Sequence, residues 1–71
     1  MTAKRAQKIT AADVLNKVLA ERKLRPEDVA AAAHLSYGTV RRLQRGEGSQ
    51  RGTWALVAKA LGMEIEDFLG E

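Results

Sequence analysis

Three arginines lie within five consecutive residues, at Arg41, Arg42 and Arg45. An arginine guanidinium stays charged in proteins and holds its N–H donors in a rigid fork. That fork matches two oxygens of a phosphate, or the O6 and N7 atoms of a guanine. In an α-helix, residues three and four positions apart lie on the same face. The spacing therefore predicts a cationic helix face that can bind an anion or a base edge, unless these arginines form an ordinary solvated surface.

The charge of the chain is distributed unevenly along its length. Residues 1–51 contain 11 Lys and Arg against 5 Asp and Glu, a net charge of +6. Residues 52–71 contain one Lys against 4 acidic residues, a net charge of −3. A basic body with an acidic C-terminal end indicates a polyanionic partner that is contacted away from that end. The same composition also fits a solvated charged surface, so charge alone leaves the partner open.

Residue content excludes several classes of site. The chain has no cysteine and a single histidine, which excludes a disulfide framework and a thiolate metal site and leaves a zinc site without enough ligands. Neither a nucleophile–base pair nor a glycine-rich phosphate motif is present. We therefore expect no metal, no cofactor, no small-molecule ligand and no enzymatic activity, with His34 acting as a turn residue.

The hydrophobic pattern argues against membrane insertion and export. No stretch approaches the roughly 18 apolar residues that a spanning helix needs. The basic segment 1–8 is not followed by the apolar core of a signal peptide. We therefore expect a cytoplasmic, nucleoid-associated protein without a membrane partner. Residues 1–9 are predicted to be a flexible basic arm, and residues 10–71 to be the folded domain.

Two predicted helices precede the arginine-rich segment. The first begins at Thr10, which can cap the helix together with Asp13, and it ends near Arg22–Lys23. The second spans residues 26–33. Pro26 suits a first helical turn, and alanines on the buried side of the helix let a neighbouring helix approach closely. The second helix is therefore expected to brace the arginine-bearing segment.

A turn at His34–Leu35 leads into the arginine-bearing helix. Ser36 is a good N-cap, residues 37–45 form the helix, and Gly46 ends it in the left-handed conformation that glycine accepts. Two apolar side chains at helical spacing are expected to face the core, those of Val40 and Leu43.

Two further helices follow a loop at residues 47–52. Thr53 is expected to cap the fourth helix, which carries Trp54 on its apolar stripe and stops at Gly62. A short fifth helix spans about residues 64–69. We interpret Trp54 as a core residue rather than a stacking platform, because the chain lacks the set of aromatic residues that single-strand binding uses.

The layout is that of a helix-turn-helix: two short helices, a turn of two or three residues, and a serine-capped second helix bearing arginines. From about Val14 to Leu69, the chain resembles the Cro and phage-repressor type of helix-turn-helix family. An ordered set of residues carries the resemblance: Val29-Ala30, Leu35-Ser36, Val40, Leu43, Gly46, the apolar run at 54–62 and the closing run at 65–69. The resemblance implies an all-α fold, a compact five-helix lambda-repressor-like DNA-binding domain with a central helix-turn-helix.

The chain departs from the family pattern at four positions. Pro26 stands where an amide that contacts phosphate is usual, and His34 stands where the turn usually has glycine. Histidine accepts a positive φ more readily than most residues, so the turn is expected to survive. Gln44 replaces a usual glutamate, and Leu19 stands where some members have the arginine that pairs with it. Losing both charges together leaves no unpaired buried ion.

The resemblance also implies which residues contact DNA. The base-facing positions are Tyr37, Gly38, Arg41 and Arg42. Among them Arg42 can donate two hydrogen bonds to a guanine, and Gly38 lets the backbone come close to DNA. Contacts to the DNA backbone are expected from hydroxyl, amide and guanidinium groups: Ser36, Thr39, Arg45, Ser49, Gln50, Arg51 and Thr53. Three basic residues form either an arm along the DNA or a disordered solubilising tail: Lys4, Arg5 and Lys8.

Three functional hypotheses follow. The first is a sequence-specific regulator that binds double-stranded DNA, a repressor of phage or plasmid type, which inserts residues 36–45 into the major groove as a two-fold dimer. The second is a protein-interaction module, such as an antitoxin or adaptor, with the same fold and weak DNA binding, which Pro26 and Gly38 favour. The third is non-specific nucleoid or RNA binding. The apolar residues of the last helix supply either a homodimer contact or closure of the core: Ile65, Phe68 and Leu69.

Overall fold

The described part of the chain folds into short α-helices. A computed structural model describes residues 10–47 and 50–70. These two ranges contain no strand and five helices: α1 (Ala11–Arg22), α2 (Pro26–Ala33), α3 (Tyr37–Gln44), α4 (Arg51–Leu61) and α5 (Ile65–Leu69). The predicted all-α fold of five helices is confirmed. Within the described ranges, none of the helices has the length and apolar character needed to cross a membrane.

Side-chain caps set where the helices begin. At α1, the Thr10 hydroxyl accepts a hydrogen bond from the Asp13 N–H at 3.1 Å. The Asp13 carboxylate accepts one from the Thr10 N–H at 3.0 Å, which completes the predicted reciprocal pair. Ahead of α2, the Asp28 carboxylate accepts from the Arg25 N–H at 2.9 Å. Pro26 occupies the first helical position, where it loses no intrahelical bond. Both helices thus begin at the predicted residues.

The first four helices end in one recurring way. A residue with positive φ comes directly after α1, α2 and α4, and one position later, at Gly46, after α3. The N–H of the residue after it donates back to a carbonyl five residues earlier. The donor–acceptor pairs are Leu24–Leu19, Leu35–Ala30, Glu47–Arg42 and Met63–Ala58, at 2.8–2.9 Å. Three of the donor residues are apolar and pack against the core, namely Leu24, Leu35 and Met63. The chain therefore leaves each of these three helices where the following apolar side chain can reach the core.

The turn between α2 and α3 depends on His34. Its φ is 60° and its ψ is 41°, in the left-handed region where a residue other than glycine costs roughly 1–2 kcal/mol. The Leu35 N–H nevertheless donates to the Ala30 carbonyl at 2.9 Å, so the turn closes fully. The expectation that the turn survives with a histidine at positive φ is confirmed.

Packing places α3 between two supporting helices. It lies against α1 and α2, while α2 also packs on α4, and α5 packs on α1 and α4. At the far end of the bundle, the Arg22 guanidinium donates to the Leu61 carbonyl at 2.7 Å and ties the end of α1 to the end of α4. A guanidinium is favourable at that position because the carboxyl end of a helix carries a partial negative charge.

Apolar side chains from all five described helices form the core. Trp54 of α4 is 1% exposed, and its ring stacks on that of Phe68 of α5 with centroids 5.2 Å apart. The interpretation of Trp54 as a core residue is confirmed. Phe68 is 3% exposed, so it closes the core and has no surface to offer to a second subunit. Ile65 and Leu69 are half-buried against the same cluster.

The start of α4 differs from the prediction. Thr53 does not cap this helix: Gln50 is the N-cap residue, and the Trp54 N–H donates to the Gln50 carbonyl at 3.1 Å. The prediction was wrong because it assigned Gly52 to the loop. Residues of a first helical turn need no intrahelical partner for their own N–H groups, so Gly52 enters the helix there at only its ordinary cost in propensity. Thr53 is therefore the third residue of α4.

We expect Trp54→Ala to lower the free energy of unfolding by about 3–5 kcal/mol. The substitution removes the largest of the fully buried side chains together with its stack on Phe68. The measurement is thermal and urea denaturation followed by circular dichroism. The control is Trp54→Phe, which keeps an aromatic ring and removes an indole N–H that has no partner among the described residues. A melting temperature of Trp54→Ala near that of the native chain would contradict this account of the core.

Candidate nucleic-acid interface

The rotation of α3 about its own axis is fixed by its apolar side. Val40 and Leu43 are 0% and 1% exposed, and both lie in the core. Because successive residues of an α-helix are about 100° apart around the axis, burying these two turns the opposite side to solvent. The exposed residues of that side are Tyr37, Gly38, Arg41, Arg42 and Arg45. We call these five residues the arginine face.

Gly38 lies in the middle of the arginine face. It precedes Arg41 and Arg42 by three and four positions, so both are its neighbours on the helix surface. Their side chains are expected to lean back over its turn, toward the helix N-terminus. A Cβ atom built on Gly38 would meet no atom within 4 Å, and its φ is not positive. The free fold therefore does not require glycine here, and its presence leaves an open space beside both arginines.

Arg41 is tied to the rest of the molecule through an amide. Its Nη1 donates to Gln44 Oε1 at 2.9 Å. Gln44 Nε2 in turn donates to Asn16 Oδ1 of α1 at 3.1 Å, and Asn16 Nδ2 donates to the Gln44 carbonyl at 3.0 Å. A continuous path of side-chain hydrogen bonds therefore links α1 to the arginine face. We call these three residues the amide relay.

Gln44 contacts a residue of α1 that the sequence analysis did not single out. Leu19 is buried in the core at 4% exposed, whereas Asn16, one turn earlier on α1, makes the contact with Gln44. Sequence reasoning missed Asn16. A polar residue three positions before a buried leucine lies next to it on the helix, and that spacing was the available signal. The helix pair is joined by two neutral amides instead of an ion pair.

Arg42 and Arg45 differ in their surroundings. The Arg42 side chain is exposed and forms neither a hydrogen bond nor an ion pair within residues 10–47 and 50–70. Arg45 Nε lies 3.3 Å from Glu47 Oε2, with both side chains more than half exposed. Ion pairs in such positions contribute little to stability, so Arg45 can exchange Glu47 for another anion. In the described part of the chain, Arg42 is therefore the arginine of this face whose guanidinium has no polar partner.

The first turn of α3 carries hydroxyl groups beside the arginine face. Ser36 Oγ accepts from the Thr39 N–H at 3.1 Å, which confirms the predicted cap. It also lies 2.8 Å from the Thr39 hydroxyl. Tyr37 is 54% exposed although it is a large aromatic residue. The beginning of α3 therefore presents hydroxyls and an aromatic ring to solvent next to the arginines.

The beginning of α4 presents another polar segment. Gln50 and Arg51 are exposed and Thr53 is half-buried. The Gln50 side chain makes no capping hydrogen bond to the helix. An N-terminal turn of this kind carries a partial positive charge.

The acidic residues of the C-terminal end lie on a separate helix. Glu66 and Asp67 are exposed on α5, with Glu64 as its N-cap residue. No ion pair joins Arg41 or Arg42 to an acidic side chain in the described part of the chain. The two arginines are thus neither buried nor neutralised by the acidic end.

Four predicted contact residues lie outside the described residues. They are Ser49, which lies between α3 and α4 in the sequence, and the three basic residues of the predicted arm, Lys4, Arg5 and Lys8. Their roles remain predictions.

Comparison with known families agrees with this arrangement. The family profile described as "Cro/C1-type HTH DNA-binding domain" matches residues 14–70, a range that includes all of α2, α3, α4 and α5. Comparison with curated proteins gave no significant match, and comparison with solved structures gave none. The profile covers well over half of the chain, and its range includes α2, the His34 turn and the arginine-bearing α3. The chain therefore belongs to the Cro/C1-type helix-turn-helix family of DNA-binding domains.

Proposed function

We propose that this protein is a sequence-specific regulator of transcription, a repressor of phage or plasmid type, that inserts α3 into the major groove of double-stranded DNA. One observation carries the proposal. The arginine face is exposed on the side of α3 opposite Val40 and Leu43, and within it Arg42 has no anionic partner among the described residues. An uncompensated cation on a rigidly held helix is suited to a polyanion with readable base edges.

Base reading is assigned to the arginine face. Arg42 has all of its guanidinium donors available and can form two hydrogen bonds with O6 and N7 of a guanine. Arg41 contributes a second guanidinium on the same face. Tyr37 can contact a thymine methyl group or a phosphate. Gly38 specifies no base by itself, but the space beside it lets the α3 backbone approach the base edges closely.

Contacts to phosphates are assigned to groups around the arginine face. Such contacts set the register of a protein on DNA and carry no base information. The proposed residues are Ser36, Thr39, Arg45, Ser49, Gln50, Arg51 and Thr53, with Lys4, Arg5 and Lys8 as an arm. Arg45 exchanges its ion pair with Glu47 for a phosphate in this scheme. The N-terminal end of α4 adds the partial positive charge of its helix dipole.

One helix of this kind contacts only a few base pairs of DNA. We therefore propose that two copies of the protein bind a near-palindromic site. The contact between copies involves Ile65 and Leu69 of α5, which are half-buried. Phe68 is excluded from it because it lies in the core.

A protein-interaction role is the second candidate function. Leu56 of α4 is 46% exposed, and it lines a shallow groove of about 330 Å³ between α2 and α4 together with Ala32, Ala33, His34, Lys59 and Ala60. Exposed apolar side chains in a groove favour a protein contact. The double variant Arg41→Glu/Arg42→Glu separates the candidates. The charge-matched control is Lys17→Glu/Lys23→Glu, which reverses two exposed cations outside both the arginine face and the groove. If the protein acts by binding DNA, function is lost in Arg41→Glu/Arg42→Glu and kept in the control. If it acts as an adaptor, function is kept in both.

Selection of bound duplexes from a random pool tests the proposed function directly. We expect an enriched site with a guanine in each half, and half-sites whose centres are about 10 base pairs apart. Binding that is salt-sensitive but enriches no sequence would instead support non-specific nucleic-acid binding. Parallel binding to a random RNA pool would identify an RNA partner.

Arg42→Ala is expected to weaken binding to the selected duplex by about 1–3 kcal/mol and to relax the preference at one base pair. The reason is the loss of two hydrogen bonds to one base. Fluorescence anisotropy on the selected duplex and on its single-base variants measures both effects. Lys59→Ala, which removes an equal charge from α4, is the control. Equal losses on selected and random duplexes would show that Arg42 contacts only phosphates.

Gly38→Ala is expected to stabilise the free protein and to weaken its binding to the selected duplex. Alanine is favoured over glycine in a helix by about 1 kcal/mol, and its Cβ meets open space in the free fold. In the complex, the same methyl group occupies the space that the base edges approach. Melting temperature and anisotropy measure the two effects.

The control for this prediction is Gly52→Ala. Gly52 also lies in a first helical turn, has no positive φ and leaves space for a Cβ. Gly52→Ala should therefore raise the melting temperature without altering the base preference of DNA binding. A Gly38→Ala protein that is more stable and binds with unchanged affinity would contradict close approach at Gly38.

A further inference from the structure

We infer that Gln44 and Asn16 are positioning residues that hold the Arg41 guanidinium in place for reading DNA. This inference rests on the proposed function and deepens it. It starts from the amide relay, in which Arg41 Nη1 bonds Gln44 Oε1 at 2.9 Å and Gln44 Nε2 bonds Asn16 Oδ1 at 3.1 Å. Neither Gln44 nor Asn16 belongs to the arginine face.

The hydrogen bonds of the relay determine the orientation of both amides. Arg41 can only donate, so Gln44 must turn its oxygen toward Arg41 and its NH₂ group toward Asn16. Asn16 must then offer its oxygen to Gln44, which directs its own NH₂ group to the Gln44 carbonyl at 3.0 Å. Reversing either amide would set two donors or two acceptors against each other. The direction is therefore set along the whole path from α1 to Arg41.

The bond from Arg41 to Gln44 is not needed to join the helices. Arg41 and Gln44 are three residues apart on α3, whereas the two Asn16–Gln44 bonds already connect α1 to α3. What the additional bond restricts is the rotamer freedom of Arg41. Its guanidinium keeps its other N–H donors, including the edge formed by Nε and Nη2, for a bidentate contact.

Arg41 and Arg42 therefore contribute in different ways. The Arg41 side chain is ordered before DNA arrives, while the Arg42 side chain has no polar partner in residues 10–47 and 50–70. Ordering a long side chain at an interface costs about 0.5–1.5 kcal/mol, and the relay removes part of that cost for Arg41 alone. Breaking the relay should weaken the Arg41 contact and leave the Arg42 contact as it was.

A double-mutant cycle on the selected duplex tests this inference. The proteins are the native chain, Asn16→Ala, Arg41→Ala and their combination, with a second cycle in which Arg42→Ala replaces Arg41→Ala. We expect Asn16→Ala to raise Kd about two- to tenfold, in line with the ordering of one side chain. It should raise Kd no further when Arg41 is already alanine, and by the full factor when Arg42 is alanine.

Binding to a random duplex separates positioning from loss of folded protein. A smaller folded fraction raises Kd on both duplexes equally, whereas a mispositioned Arg41 raises it on the selected duplex alone. Melting curves set a temperature at which every variant is folded. Gln44→Met, which keeps the length of the side chain without its amide, carries the same cycle if Asn16→Ala proves unstable.

Failure of the positioning role and failure of the proposed function give different results in these experiments. A native chain that selects no duplex overturns the proposed function itself. A native chain that selects one, with Asn16→Ala equally harmful whether residue 41 is arginine or alanine, overturns the positioning role. An identical loss on selected and random duplexes overturns it as well.

Discussion

The burial of two apolar side chains on α3 is the constraint on which the rest of the molecule depends. Val40 and Leu43 are enclosed in the core, and an α-helix cannot rotate about its axis without exposing such groups. Their burial leaves the arginines, Tyr37 and Gly38 facing solvent. Since an apolar core excludes unpaired charge, the same two residues place the cations of α3 where a polyanion can reach them.

The neighbouring elements hold α3 in this orientation. His34 adopts a left-handed backbone so that α2 can end and Ser36 can cap the next helix within a two-residue turn. Buried Ala30 and Ala33 let α2 lie close to its neighbours, and α1 adds the hydrogen bonds of Asn16. The Trp54–Phe68 stack is more distant, but it closes the core into which α3 packs. Support therefore comes from backbone geometry, close packing and polar contacts together.

Local signals in the sequence are sufficient for most of this architecture. Capping residues, the proline of α2 and the glycines that follow α3 and α4 act within a few positions of a helix end, so Thr10, Pro26, Ser36, Gly46 and Gly62 predict their boundaries. The start of α4 was missed because propensity alone treats a glycine before Thr53 as loop. Local signals did not identify Asn16 as the partner of Gln44, because the two residues are 28 positions apart in the sequence. Their contact depends on how α1 packs on α3, and Leu19 lies only one helical turn from Asn16. Which of the α5 residues faces the core likewise depends on how that short helix packs on Trp54.

The hydrogen bonds between α1 and α3 join two residues with uncharged side chains, Asn16 and Gln44. Their neutrality affects the conditions under which the domain keeps its shape. Asn16 and Gln44 carry no charge and no proton that titrates, so counter-ions do not screen their hydrogen bonds and acidity does not alter them. An ion pair in the same place would also respond to the strong negative potential of a nearby duplex, which repels a carboxylate. With two amides instead, the attraction between protein and DNA can vary with salt while the angle at which α3 is presented stays constant.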